Sequence, residues 1–188
     1  MKPTEVLIAE HGFIEKAVSA MYGAAQRLRA GEDVPAKFFK QAVHFIREYA
    51  DARHHAKEET LLFPALEAKG MPNEGGPIGV MLAEHVIGRH TVAEMDTATQ
   101  KYESGDMEAK VQLASACVAF ARLLSAHIDK ENNILFMMAD QFLDEAANNE
   151  LMVKFEEVNA QREFADSREA YEKWATEVAE EYGVKVGA

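Results

Sequence analysis

The histidines of this 188-residue chain fall into a pattern. The segment IAEH ends at His11 and LAEH ends at His85, 74 residues later. His54 and Glu58 in HHAKEETLLF match His127 and Glu131 in HIDKENNILF at an offset of 73, with Leu62-Phe63 falling on Leu135-Phe136. One unit is therefore used twice: a His, then 42 or 43 residues on, a His-x-x-x-Glu. On a helix, residues i and i+4 stand one above the other on one face. Each pair can present an imidazole and a carboxylate to one point, and His11 and His85 add an imidazole each. Carboxylates can bridge two cations while imidazoles ligate each terminally, a donor mixture that suits iron or manganese better than calcium. A lone His-x-x-x-Glu is an ordinary surface pair worth about 0.2–0.5 kcal/mol. Two in one register, each with its upstream His, point to a dinuclear metal site made of His11, His54, Glu58, His85, His127 and Glu131.

The elements that must position these groups are helices. Pro and Gly are few, at 5 and 11, and no strand-like alternation of any length occurs. Thr4 is the expected cap of a first helix that Gly31 stops. A second starts at Pro35 and is expected to kink or end at Pro64. The stretch 70–76 (GMPNEGG) reads as a loop, Pro77 opens a third helix ending before Gly105, and Asp106 caps a fourth. Short connections favour antiparallel neighbours. Weaker amphipathic stretches follow near 144–162 and 167–182. The expected fold is all-α: an up-down antiparallel four-helix bundle over 1–142, with one or two extra C-terminal helices, an acidic extension over 143–188, packed on it.

Lys+Arg number 20 and Asp+Glu 32, a formal charge of −12. That argues against nucleic acid or an anionic membrane as partner, because both need a basic footprint. Residues 141–188 hold 12 acidic and 5 basic side chains, which makes the C-terminal helices a candidate protein-contact surface. The single cysteine, Cys117, excludes an intrachain disulfide and a Cys-cluster metal site and is compatible with a reducing cytoplasm. Acidic Glu5 and Glu10 interrupt the N-terminal segment as a signal core, and no run approaches the roughly 18 apolar residues of a membrane span.

At these residues, and above all in HHAKEETLLFPALE at 54–67, the chain resembles the hemerythrin-like (HHE cation-binding) family over about residues 4–140. The resemblance implies an up-down four-helix bundle with a non-haem centre of two iron ions, oxo- or hydroxo-bridged, with manganese the lesser alternative. It carries the ligand role onto the same six residues. Oxygen-carrying hemerythrins have His-x-x-x-His on the third helix and a fourth-helix His followed five residues later by Asp. Here Arg89 stands four after His85, and Glu131 four after His127. The doubled His-x-x-x-Glu is closer to bacterial hemerythrin-like proteins linked to iron–sulfur repair or nitrosative stress, and resembles the iron-sensing domain of a ubiquitin ligase subunit. Simple oxygen transport is not the expectation. The leading one is a di-iron protein that engages O2, NO or peroxide in sensing, scavenging or repair. The rivals are a di-iron oxidoreductase turning over peroxide or O2, and an iron-dependent protein-interaction module. Ferritin-like proteins use Glu-x-x-His, carboxylate first and spacing three, and are set aside.

Several neighbours have open roles. His55 adjoins His54, and the iron-sensing relatives carry a liganding carboxylate at the equivalent position, so His55 is either a seventh ligand or a residue beside the site. His90 lies about 140° round the helix from His85, and His44 about 80° off the face of His54, so both are expected off the site. Asp51 is a candidate to hold a ligand's imidazole N–H. Glu59 could compete with Glu58, but the repeat favours Glu58. Arg89 beside the small Gly88 is expected to leave an open metal position and to draw an anionic ligand.

Overall fold

The computed structural model describes residues 1–161 and 166–187, and among these every regular element is helical. Six helices follow in order: α1 Pro3–Arg29, α2 over 36–68, α3 Pro77–Glu103, α4 Met107–Phe142, α5 Glu145–Gln161 and α6 Arg168–Tyr182. Asp106 caps α4 as expected, its carboxylate accepting from the Glu108 and Ala109 N–H groups. Gly31 stops α1 with φ +87, which a side chain would resist. Thr4 does not cap α1. Lys2 holds that position and Glu5 reaches back to its N–H at 2.8 Å, while the Thr4 hydroxyl donates to Asp140 at 2.8 Å.

Two apolar clusters lie on either side of a polar layer. One contains Leu7, Leu62, Phe63, Ile78, Met81, Leu135 and Phe136, and the other Ile14, Val18, Ile46, Ala50, Val92, Leu124 and Ile128. Successive helices α1 to α4 meet these clusters in alternating order, which is compatible with the expected up-down arrangement. α5 adds Leu151 and Phe155 to the first cluster, and α6 adds Tyr171, Ala175 and Tyr182 to the second. In the second, Trp174 of α6 lies over Phe45 at 5.2 Å, and Tyr49 donates to Glu172 at 3.0 Å.

Pro64 neither kinks α2 to a stop nor ends it. The helix widens to π geometry over Ile46–His55 and Glu58–Leu62, then resumes as α over Phe63–Ala68. α4 widens at the matching place, Glu131–Leu135. In both halves a Phe N–H bonds a carbonyl five residues back, Phe63 to Glu58 and Phe136 to Glu131. Proline does not cause this turn, because Met137 occupies the matching position in α4. π turns inside α-helices gather at functional sites.

α4 also corrects the membrane reading, for it contains one 18-residue stretch apolar enough to meet the length criterion for a span. Half of that stretch is buried inside the molecule. The same helix turns His127 and Glu131 inward, so it is a core helix here.

At Gly23 of α1 the end of α6 comes so close that an added Cβ would lie 1.8 Å from the Tyr182 carbonyl oxygen. Overpacking of this kind costs about 1–3 kcal/mol. Gly23→Val should lower the melting temperature by about 2–4 °C per kcal/mol and speed hydrogen exchange at the α6 C-terminus, with metal content unchanged. An unaltered melting curve would show that α6 is not seated there.

Candidate metal centre

All six repeat residues meet in the polar layer between the two apolar clusters. His11, His54, Glu58, His85, His127 and Glu131 are each 2% exposed or less. Ligand atoms of His11, His54, Glu58 and Glu131 lie within 4.8 Å of one another, and those of His55, His85 and His127 do the same. The carboxylates span the two groups. Glu131 Oε2 is 3.2 Å from both His11 Nε2 and His127 Nε2. Glu58 places Oε1 3.5 Å from His54 Nε2 and Oε2 3.6 Å from His85 Nε2.

His55 joins the second group, its ring stacked on His85 at 3.9 Å. The π geometry of α2 explains how neighbouring residues both face inward. A hydrogen bond five residues back spreads the turn to roughly 4.4 residues, or about 80° per residue rather than 100°. His90 is exposed, and His44 lies away from the centre, 3.1 Å from the Tyr171 hydroxyl. Cys117 is fully buried, which pushes its thiol up to about 12 and leaves it inert.

Each imidazole of the six has its outer nitrogen tied to an oxygen acceptor. His54 Nδ1 donates to Glu10 at 3.0 Å and His127 Nδ1 to Glu84 at 3.0 Å. His11 Nδ1 donates to Asn132 at 2.8 Å, and His85 Nδ1 to Glu59 at 2.7 Å. Lys57 neutralises Glu10 and Lys130 neutralises Glu84. This outer ring was missed in the sequence reading, yet its signal was present. Glu10 and Glu84 precede the repeated His, Lys57 and Lys130 precede the repeated Glu, and Glu59 matches Asn132 in the same register. Asp51 does hold an imidazole, but it is that of His55, at 3.3 Å, rather than that of His54.

With Nδ1 protonated, every Nε2 directs a lone pair inward. His11 Nε2, His54 Nε2 and all four oxygens of Glu58 and Glu131 are buried without a hydrogen-bond partner. His85 Nε2 and His127 Nε2 face each other at 3.1 Å. Buried polar groups left unpaired in this number are costly unless a cation satisfies them. The donors therefore fit metal cations.

The family model of the hemerythrin HHE cation binding domain matches residues 2–139. The chain belongs to this family. Three curated relatives are each 27% identical over 148 residues, 76% of this chain: the uncharacterized proteins Mb2018 of Mycobacterium bovis, MT2051 of Mycobacterium tuberculosis strain CDC 1551 and Rv1995 of Mycobacterium tuberculosis strain H37Rv. The chain spans 57% of the length of these relatives. No solved structure matches it.

Arg89 departs from its expected role in this HHE domain. Its guanidinium binds Asp51 through Nε at 3.0 Å and Nη2 at 2.7 Å, and Glu59 through Nη2 at 2.7 Å. It thus clamps the two carboxylates that orient His55 and His85, instead of reaching for an anion. Arg89→Ala should weaken metal binding at the His55, His85 and His127 group by about 10- to 100-fold, the usual effect of removing such an outer partner, and spare the His11 and His54 group. Titration with Co(II) would show one step shifted and one kept. Equal weakening of both steps would contradict the clamp.

The two central carboxylates differ. Burial raises the Glu58 carboxyl well above the ordinary range, and the charge of Glu131 adds to this. Burial opposes ionisation of Glu131 too, but the imidazoles of His11 and His127, each 3.2 Å from its Oε2, hold it well below that range. Burial and the neighbouring His11 push His54 down to about 3, so it stays neutral and ready to ligate. A raised carboxyl gives stability that is present below its unfolded value and lost as pH rises through its folded one. Metal-free Glu58→Gln should therefore melt above metal-free wild type at pH 7, by about 2–4 °C per kcal/mol relieved, with the gap closing near pH 4. The same variant should hold less metal. A lower melting point for the metal-free variant at pH 7 would refute the assignment of the proton to Glu58.

Proposed function

We propose that this HHE domain binds two iron ions and engages O2, NO or peroxide there, in sensing, scavenging or repair. The observation that carries the reading is the set of inward atoms with nothing to bond: two carboxylates, each spanning a histidine from either half, and imidazoles whose outer nitrogens are already committed. His11 and His54 would serve one ion, His85 and His127 the other with His55 as a third imidazole, and Glu58 and Glu131 both. Mixed imidazole and carboxylate donors favour iron over calcium. Iron so held supplies redox change and coordination positions that side chains leave free. The chain's own part is to keep His54 and His55 neutral, orient the rings of His11, His54, His85 and His127 through Asn132, Glu10, Glu59 and Glu84, and exclude water from one side.

A cavity of about 290 Å3 reaches the second group, with His55, His85 and His127 in its lining. Such access favours a small-ligand role over iron that serves structure alone. We place the bundle at 1–142 and the extension at 143–188. α6 buries Tyr171, Ala175 and Tyr182 and leaves Glu169, Glu177 and Glu180 exposed, the face we assign to a protein partner. The compartment we infer is the cytoplasm, where the buried Cys117 stays a thiol.

Protein purified with iron should carry two ions per chain by metal analysis, and NO, azide or peroxide should each shift its optical spectrum. Iron at a hundred times its dissociation constant should add about 2.7 kcal/mol of stability over the metal-free form, seen as a higher melting temperature. One ion or none after full reconstitution would overturn the dinuclear reading.

A further inference from the structure

The two halves of the repeat are filled differently beside their histidines. Three residues after His11 stands Ile14, 1% exposed, and three after His85 stands Gly88. A Cβ built on Gly88 would meet its nearest neighbour, Phe120 Cε2, at 3.8 Å, an ordinary contact with open space beyond. That space is the 290 Å3 cavity. Its lining is mostly apolar, with Ile46, Ala50, Val92, Phe120 and Leu124. Its polar members are His55, His85 and His127, Arg89 paired with Asp51, Glu84 paired with His127, and Arg47. The His11–His54 side is not among its lining residues.

Size and wall chemistry say what fits. A diatomic molecule needs no more than about one water's share of volume, roughly 30 Å3. An apolar cavity of about 150 Å3 stays dry and takes benzene, so one twice that size holds a body of roughly ten heavy atoms. The largely apolar wall favours an apolar body, while the histidine end offers an oxygen-bearing head a place among polar groups. We propose that the Gly88 cavity binds a small organic hydroperoxide, its aryl or branched-alkyl body against Val92, Phe120 and Leu124 and its oxygens toward His55, His85 and His127. This rests on the peroxide reading above and narrows it from hydrogen peroxide to an organic one.

The probe is 2-phenyl-2-propanol, an unreactive alcohol with the shape of an aryl hydroperoxide, titrated calorimetrically into metal-free and iron-loaded protein. One molecule should bind per chain with a dissociation constant below about 1 mM, the level roughly ten well-packed heavy atoms support. Gly88→Ile, which restores the residue type of the other half, should weaken binding by about tenfold or more while the iron content stays at the wild-type value. Leu124→Phe fills the same space from α4 and should act likewise if Gly88→Ile fails to fold. Absence of saturable binding to both forms of the wild type would overturn the proposal, as would folded filled variants that bind like wild type. Binding to metal-free protein alone, with no iron taken up, would keep the cavity assignment and defeat the iron reading instead. Two ions bound without any probe binding would do the reverse.

Discussion

His85 Nε2 and His127 Nε2 face each other at 3.1 Å, each on a ring whose other nitrogen already donates to a carboxylate. Two lone pairs at that distance repel unless a proton or a metal cation lies between them. The same condition holds around Glu58 and Glu131, whose four oxygens are buried without hydrogen bonds. The surrounding structure serves this condition. π turns widen α2 and α4 where the carboxylates point inward, and lysines balance the outer carboxylates so that these can stay ionised. The Glu10 carboxyl illustrates the balance: burial would raise it, yet His54 and Lys57 bring it down to about 2.

How much of this was legible depends on which periodicity carried it. The six central residues followed from helical spacing and internal repetition, because both leave a mark in one dimension. Glu10, Glu84, Lys57 and Lys130 left the same mark, but acidic and basic residues beside a His look like solvated charges until the fold turns them inward. His55 was visible only as an alternative, since two adjacent residues share a face only where the helix departs from α geometry, and nothing in HHAKEETLLF announces a π turn. Pro64 misled for a related reason, as a widened turn precedes it and the helix runs on. Thr4 is a good cap by residue type, yet Asp140 of a distant helix claimed its hydroxyl.

Duplication explains the centre, and divergence after duplication explains what is particular to it. His55 matches Ile128, Gly88 matches Ile14, and Arg89 matches Glu15. All three differences fall beside the same pair of histidines, His85 and His127. The first half of the repeat supplies the extra imidazole and the second the guanidinium clamp and the open space, while the side around His11 and His54 has apolar Ile14 where the other has Gly88.

The polar layer also divides the molecule mechanically. The apolar cluster around Leu62 and Phe136 is fastened from outside by α5, and the cluster around Phe45 and Leu124 by α6. Between them the four long helices are joined by a seam of charge rather than by packing. Separately packed regions open as separate cooperative units when little couples them. Cations seated in the seam would act as rivets, making two half-cores melt as one body.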